Sequence, residues 1–168
     1  TITTFPTAKF LEYTFKNWRG MQESGGRRIK RRIILSISSI KFIDENFLKE
    51  LSHLVLLKDY LKNKNLELKE ANASLGNEDI NRRSLTNLGC FRIYINNYLE
   101  KHPKIRQDMT LLVRQLPINQ YGLPIEVYAF TNTTKWKEYE DIQSDIFDHI
   151  LASICLLYTS PSPRDSAL

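Results

Sequence analysis

Five cationic side chains stand within six consecutive positions: Arg27, Arg28, Lys30, Arg31 and Arg32, directly behind Gly25-Gly26. A run this dense can hold phosphate, anionic lipid or carboxylates. The Gly-Gly-Arg-Arg start has the composition of a phosphate cradle but neither the G-x-x-x-x-G-K-[ST] nor the G-x-G-x-x-G spacing. It also leads into a strand-like pattern, whereas anion cradles lead into a helix N-terminus. No aromatic ladder flanks the run in sequence and no helix presents it to a groove, so nucleic acid is not the expected partner. A free-standing nucleic-acid-binding module using Arg27–Arg32 is the alternative reading.

The remaining reactive residue types are scattered. His53, His102 and His149 have no His four positions away and no nearby Cys, so they form no metal-ligand spacing. Cys90 and Cys155 lack a C-x-x-C spacing and suit a reducing compartment. Glu138, Glu140, Asp141, Asp145 and Asp148 fall on the wet side of an amphipathic pattern, where carboxylates are solvated and not paired for acid–base work. The expectation is a chain with no catalytic residue, no metal and no cofactor, hence no enzyme.

Charge is uneven along the 168 residues. The first 35 positions carry eight Lys and Arg against Glu12 and Glu23, while the whole chain has a formal charge of +5. The excess is therefore local to the junction near Gly25. No apolar run approaches the ~20 residues that cross a bilayer. Without an initiator Met or a secretory pattern, the first residue reads as an internal start.

The elements that must position the cluster follow from periodicity. Thr1–Phe15 is rich in Thr and aromatics, contains Pro6, and suggests extended structure. Asn17–Gly26 is turn-rich, and a domain boundary is expected near Gly20. In Arg28–Ser38, Ile29, Ile33, Leu35 and Ile37 share one side of a strand, with Arg31 as the exception. Asp44 is a candidate cap for a helix carrying Phe47, Leu48, Leu51, Leu54 and Val55. A polar helix at Leu61–Ala71, expected to face solvent, and a loop at Ala73–Ser84 follow.

Thr86–His102 predicts a helix closed by Pro103. Strands are predicted at Asp108–Leu116 and Leu123–Thr131, joined by a hairpin. In the second, Ile125, Val127 and Ala129 oppose Glu126, Tyr128 and Phe130. Thr134 should cap a last helix with Trp136, Tyr139, Ile142, Ile146, Phe147 and Ile150 on its apolar side.

The order is that of an α+β fold: a ferredoxin-like β-α-β-β-α two-layer core with a helical insertion at about 48–84, preceded by a short extended segment within 1–20. The main domain is expected over 21–152. From Cys155 the helical pattern stops and Ser-Pro-Ser-Pro follows; residues 153–168 are similar to translated sequencing-adapter read-through and are expected to be a non-native, disordered tail.

Three segments carry a family resemblance. The first is Asn17-Trp18-Arg19-Gly20 through Gly25-Gly26-Arg27-Arg28-Ile29-Lys30-Arg31. The second is Thr86-Asn87-Leu88-Gly89 with Phe91-Arg92, Tyr98-Leu99 and His102-Pro103. The third runs from Asp108-Met109-Thr110-Leu111 to Gln115-Leu116, then Gly122-Leu123-Pro124-Ile125-Glu126-Val127-Tyr128-Ala129-Phe130-Thr131-Asn132-Thr133, and on to Asp145-Ile146-Phe147-Asp148-His149-Ile150. Together they resemble the miniconductance branch of the small-conductance mechanosensitive ion channel family. Ile2–Thr7 resembles the end of that family's β-domain, and Leu48–Arg83 an insertion.

The resemblance implies a homo-heptamer in the bacterial inner membrane, anchored by transmembrane helices outside this chain, with this part facing the cytoplasm. It implies tension-gated release of ions and small osmolytes on hypo-osmotic shock, through a cytoplasmic cage with side portals. It implies identical subunits and permeating solutes as partners, no nucleic acid, no cofactor and no catalytic residue. Arg27, Arg28, Lys30, Arg31 and Arg32 are then expected to serve portal or assembly electrostatics.

Overall fold

A computed structural model describes Pro6, residues 19–73 and residues 81–158. The expected β-domain remnant before residue 19, the loop at 74–80 and the tail from 159 lie outside the described residues. A short helix, α1 (Arg19–Ser24), occupies the junction expected to be turns, with an Arg19–Glu23 ion pair across one turn at 3.2 Å. Gly25 then takes a φ of 66°, the left-handed conformation that ends a helix.

Strand β1 (Arg27–Leu35) pairs antiparallel along its length with β3 (Leu123–Thr131), Arg27 opposite Thr131 and Leu35 opposite Leu123. Strand β2 (Leu112–Gln115) pairs antiparallel with the other side of β3, Val113 opposite Val127. The order β1-β3-β2 leaves β1 and β2 parallel with β3 between them. This is the split β-α-β arrangement of the α+β class that the sequence predicts.

Two strand limits differ from expectation. β1 ends at Leu35, not Ser38, because Ser36 to Ile40 turn into a single 3-10 turn; Ile37 is 50% exposed and leaves the apolar row. β2 is shorter than Asp108–Leu116, because Asp108 is held by Arg106 in its own loop and joins no ladder.

Helices α4 (Asn87–Glu100) and α5 (Trp136–Tyr158) cover one side of the sheet. The core gathers Ile29 and Ile33 from β1, Ile125 and Val127 from β3, Phe91 and Ile95 from α4, and Ile146 and Ile150 from α5. Thr86 caps α4, its Oγ1 accepting from the Gly89 N–H at 3.1 Å. Just before α5 the Thr133 hydroxyl accepts from the Lys135 N–H at 3.3 Å and donates to Glu138 in the first turn at 2.7 Å. Trp136, expected on the apolar side, is 69% exposed and its Nε1 donates to Glu140 at 2.9 Å.

The last helix also runs past the point where the sequence placed the start of a tail. Ser153 and Leu157 are buried, continuing the row of Ile146 and Ile150 at helical spacing. Ser153 stays satisfied by donating to the Ile150 carbonyl at 2.7 Å. Of the expected tail, residues 159–168 lie outside the described residues.

The insertion is a helical pair, α2 (Glu45–Ser52) and α3 (Lys58–Ala71), with Asp44 capping α2 through the Phe47 N–H at 2.8 Å. Val55, expected to be apolar and inward, is 76% exposed in the turn between them. Leu61 and Leu68 are buried, so α3 is not wholly solvent-facing. Asparagines fasten this region to the core. Fully buried Asn87 accepts from Lys41 N–H at 3.0 Å and donates to Ser39 at 2.8 Å, and Asn97 donates to the Leu56 carbonyl at 2.6 Å.

Candidate functional site

Strand geometry divides the basic cluster. Successive side chains on a strand point to opposite faces, so Arg27 and Arg31 turn to the helix side with Ile29 and Ile33, and Arg28, Lys30 and Arg32 turn to the outer face. On the helix side the two guanidiniums cover aromatic rings of α5: Arg27 lies 4.4 Å from the Tyr139 ring centre and Arg31 4.5 Å from that of Phe147. Such contacts contribute about 0.5–1 kcal/mol each at exposed sites. This explains the Arg31 exception in the apolar pattern: its stem lies along the sheet and its head shields a core ring. The Tyr139 hydroxyl adds a tie to the strand by sharing its proton between the Arg28 carbonyl, at 3.1 Å, and Gln143 Oε1, at 3.0 Å.

The outer face is where β1, β3 and β2 meet side by side. The register sets Arg28 beside Phe130, Lys30 beside Tyr128, and Arg32 beside Glu126. On the far side of β3, Leu112 lies beside Tyr128 and Arg114 beside Glu126. Glu126, a carboxylate on the side of β3 turned away from the helices, is 6% exposed. Its Oε1 accepts from Arg114 Nε at 2.9 Å and from the neighbouring guanidinium nitrogen at 2.7 Å. A carboxylate buried there is tolerable because cations flank it on both strands and one donates to it directly. Lys30, Arg32 and Glu126 line a shallow depression of about 320 Å³.

Aromatic rings therefore do accompany the cluster, contrary to the expectation from sequence. Tyr128 and Phe130 pack edge to face at 5.6 Å, and Arg28 lies 5.8 Å from the Tyr128 ring centre. They are some 100 positions away along the chain and only strand pairing brings them alongside. The alternation at Glu126, Tyr128 and Phe130 was visible; their partners were not.

Near the start of β1, Gly20, Met21, Arg27, Met109, Phe130 and Tyr139 border a groove of about 520 Å³. Arg106, which sequence reasoning passed over, braces the same junction. It donates to both Asp108 oxygens and to the Ser24 carbonyl, tying the end of α1 to the loop before β2. Those donated hydrogen bonds hold the Asp108 carboxyl below its ordinary pKa.

The histidines are not all isolated in space. The His149 ring stacks on Tyr98 at 4.2 Å and hydrogen-bonds the Tyr94 hydroxyl at 3.0 Å, while His102 meets Tyr98 edge-on at 5.6 Å. Burial lowers the His102 pKa, partly opposed by nearby Asp145. The cluster joins α4 to α5. Among the described residues, no three His, Cys, Asp or Glu are placed to hold a metal ion, and no helix is long and apolar enough to cross a membrane.

Residues 94–154 match the family model for the C-terminal domain of the mechanosensitive ion channel MscS. The matched segment takes in the second half of α4, both strands of the β2–β3 hairpin and α5 as far as Ile154; β1 and its basic cluster lie before it. Over these residues the chain is similar to the C-terminal domain of small-conductance mechanosensitive channels.

Proposed function

We propose that this chain forms a wall segment of the cytoplasmic vestibule of a mechanosensitive channel, one that assembles as a homo-heptamer in the bacterial inner membrane and releases ions and small osmolytes on hypo-osmotic shock. The observation that carries the reading is the match over residues 94–154 to the C-terminal domain of MscS channels. Asn17–Arg31 and Asp108–Thr133 resemble motifs of the miniconductance branch, and on that resemblance the chain is assigned to it here.

In this reading the protein performs no catalysis and needs no cofactor. Its work is shape and charge. Solutes approaching a portal are sorted by the local field, which decays over a Debye length of about 8 Å at physiological salt. Arg28, Lys30 and Arg32 would contribute positive potential on the sheet's outer face, while Arg27 and Arg31 are occupied holding β1 to α5.

The test is electrophysiological. The complete gene carrying this sequence is expressed in bacteria deleted for their own mechanosensitive channels. Expected are stretch-activated currents in giant spheroplasts and improved survival of osmotic downshock. Changing Arg28, Lys30 and Arg32 together to Gln should shift ion preference or assembly while leaving the tension threshold in place. No tension-activated current from a correctly inserted product would refute the proposal.

A further inference from the structure

The two layers of this fold end in rows of opposite charge on opposite sides of the molecule. On the outer side of the sheet, Arg28, Lys30 and Arg32 are exposed at alternate positions of β1. On the outer side of α5, Asp141, Asp145 and Asp148 are exposed at steps of four and three, turned away from Ile142, Ile146 and Ile150. Among the described residues none of these six forms an ion pair. The other exposed acids of this helix are engaged locally: Glu138 by Lys135 and Thr133, and Glu140 by Trp136 and Gln143.

The rows are commensurate. Alternate strand residues are about 6.8 Å apart. Helix steps of four and three residues advance about 6 Å and 4.5 Å. Long Lys and Arg stems easily absorb the difference. Within one molecule the rows cannot meet, because the sheet and the α5 helix lie between them.

We propose that the outer sheet face of one copy, through Arg28, Lys30 and Arg32, docks on the Asp141, Asp145 and Asp148 row of α5 in a second copy of this chain. Charge decides the partner face. A symmetric contact of sheet face on sheet face would set cation against cation, and helix row on helix row would set carboxylate against carboxylate; only the unlike pairing is complementary. Contacts between unlike faces are head-to-tail and close into rings or run on as filaments. Tyr128, Phe130 and Leu112 supply the apolar centre of the sheet face, inside a charged rim. The proposal rests on the channel reading only in expecting copies to assemble.

Sedimentation velocity of the purified 168-residue chain, across a wide concentration range at low and physiological salt, tests it. Expected is concentration-dependent association that salt weakens. It should be at least about tenfold weaker in R28E/K30E/R32E and, separately, in D141K/D145K/D148K. The six-fold variant combining both sets should associate again. Circular dichroism of each variant checks that the fold is retained. A chain that stays monomeric throughout, or associates regardless of the triple reversals, overturns the docking faces. So does a six-fold variant that folds but fails to regain association. Each of these leaves the channel reading to its own electrophysiological test. Tight binding of single-stranded oligonucleotide, lost in R28E/K30E/R32E, would likewise overturn it in favour of a nucleic-acid platform on the sheet.

Discussion

Gly122 closes the turn before β3 with a φ of 133°, a conformation that L side chains rarely adopt. The turn is held by mutual backbone hydrogen bonds with Asn119, at 3.0 and 3.1 Å. A Cβ at position 122 would stand 2.3 Å from the Leu35 carbonyl oxygen and 3.2 Å from an Ile34 methyl. The first distance is far inside van der Waals contact, and the atom met is backbone at the end of β1. Gly122→Ala therefore combines backbone strain of about 1–3 kcal/mol with displacement of the Leu35–Leu123 end of the ladder.

The combined loss should be about 3 kcal/mol, within the range known for strained turn positions. That is a large fraction of the roughly 5–15 kcal/mol that holds a domain together. In a chain of this size it corresponds to a fall in Tm of about 6–12 °C. The assay is urea and thermal denaturation followed by circular dichroism. Gly20→Ala in α1 is the control: nothing lies within 4 Å of its added Cβ, and better helix propensity should leave stability unchanged or up to about 1 kcal/mol higher. A Gly122→Ala protein within about 0.5 kcal/mol of the parent would refute the argument, since only harmless surface changes fall in that range.

Leu157→Ala should cost about 2–3 kcal/mol in the same denaturation assay, since a fully buried leucine is removed; a neutral effect would return residues after Ser153 to the status of a tail. Thiol titration should find Cys155 reactive in the native protein and Cys90 unreactive until unfolding, because burial pushes the Cys90 thiol up to about 11. Stability should decline as pH falls below about 6.5, the ordinary value for histidine. The His102 pKa is lowered by burial, so the unfolded chain binds its proton more readily, and His102→Gln should flatten the decline.

How much of this was legible in the sequence follows from the range over which each signal acts. Helix α4 was predictable because its cap, its apolar spacing and Pro103 all lie within a few turns. The hairpin and the alternation of β3 were equally local. Register-dependent features were not. The burial of Glu126 depends on Arg114 and Arg32, which only the strand register sets on either side of it. Tyr128 and Phe130 could not be placed beside Arg28 and Lys30 by any spacing, since the pairing spans about a hundred residues.

The basic run shows the division most clearly. Its charge, density and strand periodicity are written in six consecutive letters, and a period of two by itself sends neighbouring charges to opposite sides. Which cation points where, and what it meets, was settled by α5 covering one side of the sheet. That helix takes Arg27 and Arg31 for its own rings and leaves Arg28, Lys30 and Arg32 outside. Periodicity fixes which residues share a face because it is set by bond geometry. Which face is covered is decided by burial of apolar area, a property of the assembled layers that no local stretch of sequence contains.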